Sequence, residues 1–67
     1  MYLLKVKGNG KIPDYLQIRD NDFTLIAYFT TRNLEQGMRK NGLDKYIPVI
    51  QDMIDDVEFG KIVPLEP

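Results

Sequence analysis

The side chains that could carry catalytic chemistry are few in this chain of 67 residues. It contains no histidine, the usual general base near neutral pH, and no cysteine or serine, the usual nucleophiles. Threonine, aspartate and lysine remain, but the sequence places no base to activate them. Without histidine and cysteine, the usual ligands of zinc are missing as well. We therefore expect a protein that is not an enzyme and that binds no metal or other cofactor.

Two loops have the composition of ligand-binding motifs without their spacing. The stretch GNGK at residues 8–11 has glycines and a lysine, but a Walker loop needs four residues between its glycines and a serine or threonine after the lysine. The stretch DND at residues 20–22 could open a calcium loop, but Leu25 stands where that loop needs glycine and Thr31 where it needs glutamate. We interpret both stretches as turns between strands.

The most acidic patch consists of Asp52, Asp55, Asp56 and Glu58. Asp52 and Asp56 are four residues apart and share a helix face, where like charges mildly repel each other. These carboxylates could hold a hard cation only with ligands from elsewhere in the chain. We therefore expect a solvated helix face, which could also dock a basic partner.

Composition excludes several classes of protein. Nine basic and ten acidic residues give a net charge of −1, whereas proteins that bind nucleic acid electrostatically are normally strongly basic. No apolar run approaches the length of about 18 residues that a membrane span needs, and no signal-peptide pattern is present. We therefore expect a cytoplasmic protein that does not contact the membrane, and nucleic acid is an unfavoured partner.

The size of the chain favours association. A domain of about 60 residues buries only roughly 60% of the surface that its unfolded chain exposes, so its stability is marginal. Small domains usually gain stability from disulfides, a metal or oligomerisation, and the absence of cysteine excludes the first. A protein partner or self-association remains, and the low net charge does little to keep copies apart.

Residues 1–30 are predicted to form three strands. In the first strand Tyr2, Leu4 and Val6 alternate with lysines, and a turn at Asn9-Gly10 follows. The second strand is YLQIRD, and the third lies in FTLIAYFTT at residues 23–31. The sequence does not decide whether the first strand pairs with the second or with the third.

Residues 33–57 are predicted to form two helices. Asn33 and Gln36 have the spacing of a capping box, and Glu35 and Arg39 that of an ion pair, before Gly42 ends the first helix. The second helix begins between Asp44 and Pro48. One broad apolar stripe marks it: Val49, Ile50, Met53, Ile54 and Val57. Residues 58–67 are expected to form a short edge strand around Ile62 or a loose tail beyond Val63.

These elements predict one α+β domain over residues 1–67. It has a three-stranded antiparallel sheet followed by two helices packed on one face, in the order β-β-β-α-α, with a possible short C-terminal edge strand. The predicted core face of the sheet consists of Leu4, Val6, Leu16, Ile18, Phe23, Leu25, Ala27 and Phe29. The predicted centre of the core consists of Phe23, Leu25, Phe29, Ile50, Met53 and Ile54.

The third strand is apolar on both faces, so a second surface needs an explanation. We predict a candidate partner interface on the other sheet face, rimmed by Lys5 and Lys7: Leu3, Tyr15, Gln17, Arg19, Ile26 and Tyr28. Three coverings are possible. A protein or a second copy of the chain could bind there, Phe59, Ile62 and Val63 could fold across it, or single-stranded nucleic acid could stack on Tyr15 and Tyr28.

The favoured function is a small non-catalytic interaction module, an adaptor or regulator for which a homodimer is one alternative. It would bind a protein partner through this sheet face or through the second helix. A nucleic-acid-associated protein that uses Tyr15 and Tyr28 with their basic neighbours is the first alternative. An accessory subunit or inhibitor of an enzyme is the second. The sequence does not name the partner or the pathway.

Overall fold

Four antiparallel strands form one sheet in the computed structural model, which describes residues 1–65. The strands are β1 (Tyr2–Val6), β2 (Tyr15–Arg19), β3 (Leu25–Thr30) and β4 (Ile62–Pro64). Their order across the sheet is β3-β2-β1-β4, and every neighbouring pair is antiparallel. The first strand therefore pairs with the second and not with the third, which decides the strand order that the sequence left open.

Two short helices follow the first three strands along the chain. Helix α1 spans Leu34–Lys40 and helix α2 spans Ile47–Met53, and a single 3-10 turn precedes each of them. The predicted α+β fold with two helices and a C-terminal edge strand is confirmed. Helix α2 begins between the two predicted limits, and Pro48 is its second residue, where a missing N–H donor does no harm.

Two of the three local signals predicted for α1 are present. Arg39 donates a hydrogen bond from Nη2 to Oε1 of Glu35 over 2.8 Å, and Gly42 ends the segment with a φ of +70°. The capping box is wrong, because the side chain of Asn33 makes no hydrogen bond at the helix start. Asn33 belongs to the preceding 3-10 turn, with φ −108° and ψ 25°, and lacks the extended backbone of a capping residue.

The hydrophobic core lies between one face of the sheet, which we call the core face, and the two helices. The sheet contributes Leu3, Leu16, Ile18, Ala27 and Phe29 to the buried cluster. The rest of the chain contributes Leu34, Met38, Leu43, Ile47, Ile50, Val57 and Leu65. Helix α1 packs directly on β3, since a Cβ atom at Gly37 would lie 2.5 Å from Cγ of Phe29.

Strand β1 faces the opposite way from the prediction. Leu3 is fully buried and pairs with Ile18, so Leu3 belongs to the core, and Leu4 and Val6 lie on the other face. The lysine that suggested a solvated face is on the core side at the end of the strand. There Nζ of Lys5 donates to the carbonyl oxygen of Ile54 over 2.9 Å. The long side chain thus reaches a polar acceptor at the margin of the core.

A β-bulge corrects the predicted face of β3. Ile18 pairs with Ala27 but Arg19 pairs with Leu25, so Ile26 is an extra residue on β3. The bulge moves Leu25 away from the core, and Leu25 is 43% exposed. Phe23 lies in the turn before β3 and is also exposed.

The other predicted central residues lie nearer to the core. Phe29 and Ile50 are buried as predicted, whereas Met53 and Ile54 pack only partly buried against the cluster. Residues 58–65 do not form a loose tail. Strand β4 extends the sheet beside β1, the N–H of Leu65 donates to the oxygen of Met1 over 2.7 Å, and Leu65 is buried. The part of the predicted tail at residues 66–67 lies outside the described residues.

Candidate functional site

The side of the sheet opposite the core is the candidate site, and we call it the open face. Both helices pack against the core face, so within residues 1–65 no helix covers the other side. Strand β4 lies at the edge beside β1 and widens the face without crossing it. The C-terminal residues Ile62 and Val63 therefore do not close this surface, which corrects the second of the three predicted coverings.

The strand registers place the side chains of the open face in three rows across the sheet. The row nearest the β2–β3 turn contains Pro64, Tyr2, Arg19 and Leu25. The middle row contains Ile62, Leu4, Gln17 and Tyr28, one residue from each strand. The third row contains Val6, Tyr15 and Thr30.

Large apolar side chains on this face are exposed together. Tyr28 is 70% exposed and Ile62 is 52% exposed, at opposite edges of the sheet. Leu4 and Gln17 lie between them in the same row and are half-buried by their neighbours. Exposed apolar residues scattered singly are ordinary on protein surfaces, whereas several on one uncovered face make that face a candidate for an interaction site.

Four of the six predicted interface residues lie on the open face: Tyr15, Gln17, Arg19 and Tyr28. Ile26 is exposed as predicted, but it is the extra residue of the bulge and has no partner across the sheet. Leu3 is corrected, because it is fully buried on the core face. Whether these residues bind a partner remains a prediction.

The predicted interface lacked seven residues of the three rows: Tyr2, Leu4, Val6, Leu25, Thr30, Ile62 and Pro64. The alternation of Tyr2, Leu4 and Val6 correctly indicates an apolar stripe, but this stripe lies on the open face and not on the predicted core face. Leu3 carried the missing information, because a strand with apolar residues on both faces must place one set outside the core. The displacement of Leu25 by the bulge had no comparable signal.

Phe23 has an unusual backbone conformation beside the open face. Its φ is +71°, in the left-handed region that glycine adopts readily and that bulky residues avoid. The turn imposes this value, since the N–H of Phe23 donates to the oxygen of Asp20 over 2.9 Å and the N–H of Asp20 donates to the oxygen of Thr24 over 2.8 Å. A three-residue hairpin loop of this kind normally has glycine at this position.

The carboxylate of Asp22 supports the same turn. It accepts a hydrogen bond from the backbone N–H of Thr24 over 3.1 Å. Hydrogen bonds from the side chain and the backbone of Thr24 favour the ionised form, so they lower the pKa of Asp22 below its ordinary value. The DND stretch therefore works as a turn that presents Phe23.

Arg19 holds the aromatic ring of Phe23 in place. Its Nη1 atom donates to the carbonyl oxygen of Phe23 over 2.9 Å, and its Cζ atom lies 4.8 Å from the centre of the ring, a cation–π distance. The ring of Tyr2 lies 6.0 Å away at a tilted angle. Nε and Nη2 of Arg19 both donate to Oε1 of Gln17, over 3.2 and 3.0 Å. Arg19 is thus held by neutral acceptors on its own strand and in the adjoining turn.

A shallow groove of about 590 Å³ adjoins the open face beside β3. Tyr15, Tyr28 and Leu25 line it together with Ile12 from the β1–β2 loop. This loop folds tightly, because a Cβ atom at Gly8 would collide with the carbonyl oxygen of Ile12. The groove is mostly apolar, as ligand-binding clefts commonly are.

The remaining candidate chemistry lies elsewhere. Within residues 1–65 no group of three or more acidic side chains is close enough to hold a metal ion, and Glu58 of the acidic patch pairs with Lys61 over 2.8 Å. None of the helices in that range is both long and apolar enough to cross a membrane. Comparison with protein-family models, with curated proteins and with solved structures found no match to this chain.

Proposed function

We propose that the protein is a small non-catalytic interaction module, an adaptor or regulator, that binds a protein through its open face. The supporting observation is a sheet with one face buried under both helices and the other uncovered, with at least one apolar or aromatic side chain from each of the four strands. Exposure of Tyr28, Ile62 and Leu25 to water on one face is unfavourable for a solitary globular domain. A bound protein would remove them from it.

The chemistry of the face supports a protein partner. Interfaces are enriched in tyrosine and arginine and are depleted of other charged residues at their centre. The open face contains Tyr2, Tyr15 and Tyr28, and Arg19 is its one charged residue within the three rows. Three of the five N–H donors of Arg19 already have acceptors, so a partner would need to supply acceptors for the other two.

A nucleic acid is the less favoured occupant. Stacking of bases on tyrosines normally works together with basic residues that neutralise the phosphates. Lys5 is predicted at this rim, but its Nζ atom donates a hydrogen bond to the carbonyl oxygen of Ile54 on the other side of the sheet. The role of accessory subunit or enzyme inhibitor is one case of a protein partner.

We also propose the cytoplasm as the location, because a chain without cysteine gains nothing from a compartment that oxidises thiols.

The test is photo-crosslinking in the cell that produces the protein. One variant carries a photo-reactive phenylalanine derivative at Tyr28 on the open face, and a matched variant carries it at Gln51, which is exposed on α2. We expect discrete protein adducts from position 28 and none from position 51. Adducts from position 51 alone, or adducts with nucleic acid from position 28, would contradict the proposal.

A further inference from the structure

We infer that the occupant of the open face is a second copy of this chain, packed face to face so that two four-stranded sheets form a sandwich. This inference rests on the proposed function, because it names the partner for the same surface. Two sheets pack in this way about 10 Å apart, with the side chains of their inner faces interdigitated. In a symmetric pair the same patch serves both copies.

The area of the open face fits a dimer. An aromatic side chain carries about 150–250 Å² of surface, and Tyr28 exposes 70% of its own. Of the eleven side chains in the three rows, four are exposed and seven are partly exposed. At about 200 Å² for a whole side chain, these exposed parts sum to roughly 600 Å² per copy. Two such faces would bury roughly 1,200 Å², which is the lower limit of stable protein interfaces. The area therefore supports a weak dimer.

The charge of the open face opposes a second copy only weakly. Within residues 1–65 the three rows contain no carboxylate, and Arg19 is held by Gln17 and by the carbonyl oxygen of Phe23. The guanidinium of Arg19 is thus the one charge that each copy would bring to the contact, and neutral oxygens of its own chain already hold it. The net charge of −1 also gives two copies little reason to repel each other.

The edges of the sheet are less suited to joining two copies. Strand β4 has three residues and contains Pro64, which has no N–H to donate. Strand β3 is longer, but the bulge at Ile26 interrupts its regular hydrogen bonding. Short strands, prolines and bulges are the features that prevent edge pairing in natural sheets. The wide apolar face is left as the surface that a second copy can cover.

The experiment is sedimentation velocity on the full chain at concentrations up to about 1 mM, the dissociation constant of a very weak complex. Tyr28→Lys and Ile62→Lys place a charge at the two opposite edges of the open face. Gln51→Lys makes the same change in charge on α2. Circular dichroism confirms that each variant is folded, since all three positions are mostly exposed.

We expect the wild type and Gln51→Lys to form dimers, and both open-face variants to associate about tenfold more weakly or not at all. Loss of association in Tyr28→Lys but not in Ile62→Lys would contradict the inference, because pairing through the edge of β3 gives that result. A wild type that stays monomeric also overturns it. In that case crosslinking at position 28 to a different protein would leave the proposed function standing, whereas no adduct at all would remove both.

Discussion

Phe23 combines an unfavourable backbone conformation with contacts of its ring at the surface. Left-handed conformations cost an L-residue roughly 1–2 kcal/mol, and glycine would avoid that cost. Here the ring is placed between Tyr2 and the guanidinium of Arg19, and it remains 41% exposed beside the open face. Strained conformations of this kind concentrate at functional sites. The conformation of Phe23 therefore agrees with a role in binding.

The strain at Phe23 predicts an inverted order of two substitutions. Phe23→Ala removes the ring but keeps the strain, whereas Phe23→Gly removes both. We expect the glycine variant to be the more stable of the two by about 1 kcal/mol. Gln36 on the exposed side of α1 is the control, because there alanine should exceed glycine by about 1 kcal/mol. Thermal melts of the four variants measure both differences, and an alanine variant at position 23 as stable as the glycine variant would refute the strain.

Leu3 and Leu4 show the limit of prediction at this scale. Alternation in β1 correctly predicted a strand, but both of its faces carry apolar residues, so hydrophobicity could not decide which one is buried. The lysine at position 5 then favoured the wrong face. The side chain of Lys5 is long enough to leave the core and reach the carbonyl oxygen of Ile54. The sequence of β1 does not reveal this acceptor, because it lies directly after α2.

At the scale of elements, the close contact between α1 and β3 orients the helical layer. Gly37 lies against Phe29 with no space for a methyl group, since a Cβ atom there would meet Cβ, Cγ and Cδ1 of the ring residue within 2.8 Å. Glycine lowers the stability of an isolated helix by about 1 kcal/mol relative to alanine. Glycine at position 37 therefore permits the close packing of α1 on β3 and does not stabilise the helix itself.

Gly37→Ala should therefore destabilise the protein although it improves the helix. Phe29 is buried in the core and cannot move without disturbing its neighbours, so we expect a net loss of about 1–3 kcal/mol in the free energy of unfolding. Chemical denaturation measures this loss. Gln36→Ala, one residue earlier and exposed, is the control and should be neutral or stabilising. A Gly37→Ala variant more stable than the wild type would show that α1 does not pack on β3 this closely.

The positions of the elements were largely predictable, because the apolar period changes from two to about 3.6 where β3 gives way to α1. The end of α2 was not. The apolar stripe continues to Val57 and predicted a helix that long, but the helix ends at Met53 and a turn follows. Val57 is nevertheless buried, so its apolar character reports a place in the core and not in the helix. The bulge in β3 likewise left no trace in the apolar pattern.

At the scale of the whole molecule, the fold has a covered side and an uncovered side. Within residues 1–65 the core face, the helices and their connections bury twelve apolar residues in one cluster, while the tyrosines and aliphatic residues of the open face remain in contact with water. A chain of 67 residues has little core to spare. Binding at the open face would add the buried area that such a small domain lacks.

Strand β1 has one side buried in the core and the other on the open face. Thermal unfolding of Leu3→Lys and Leu4→Lys tests this arrangement most directly. The two variants add the same charge at adjacent residues that point to opposite sides of the sheet. Leu3→Lys buries an unpaired charge in the core and should be unfolded. Leu4→Lys should fold, with a melting curve close to that of a wild type diluted to monomer. A folded Leu3→Lys beside an unfolded Leu4→Lys would place the core on the other face and contradict the account.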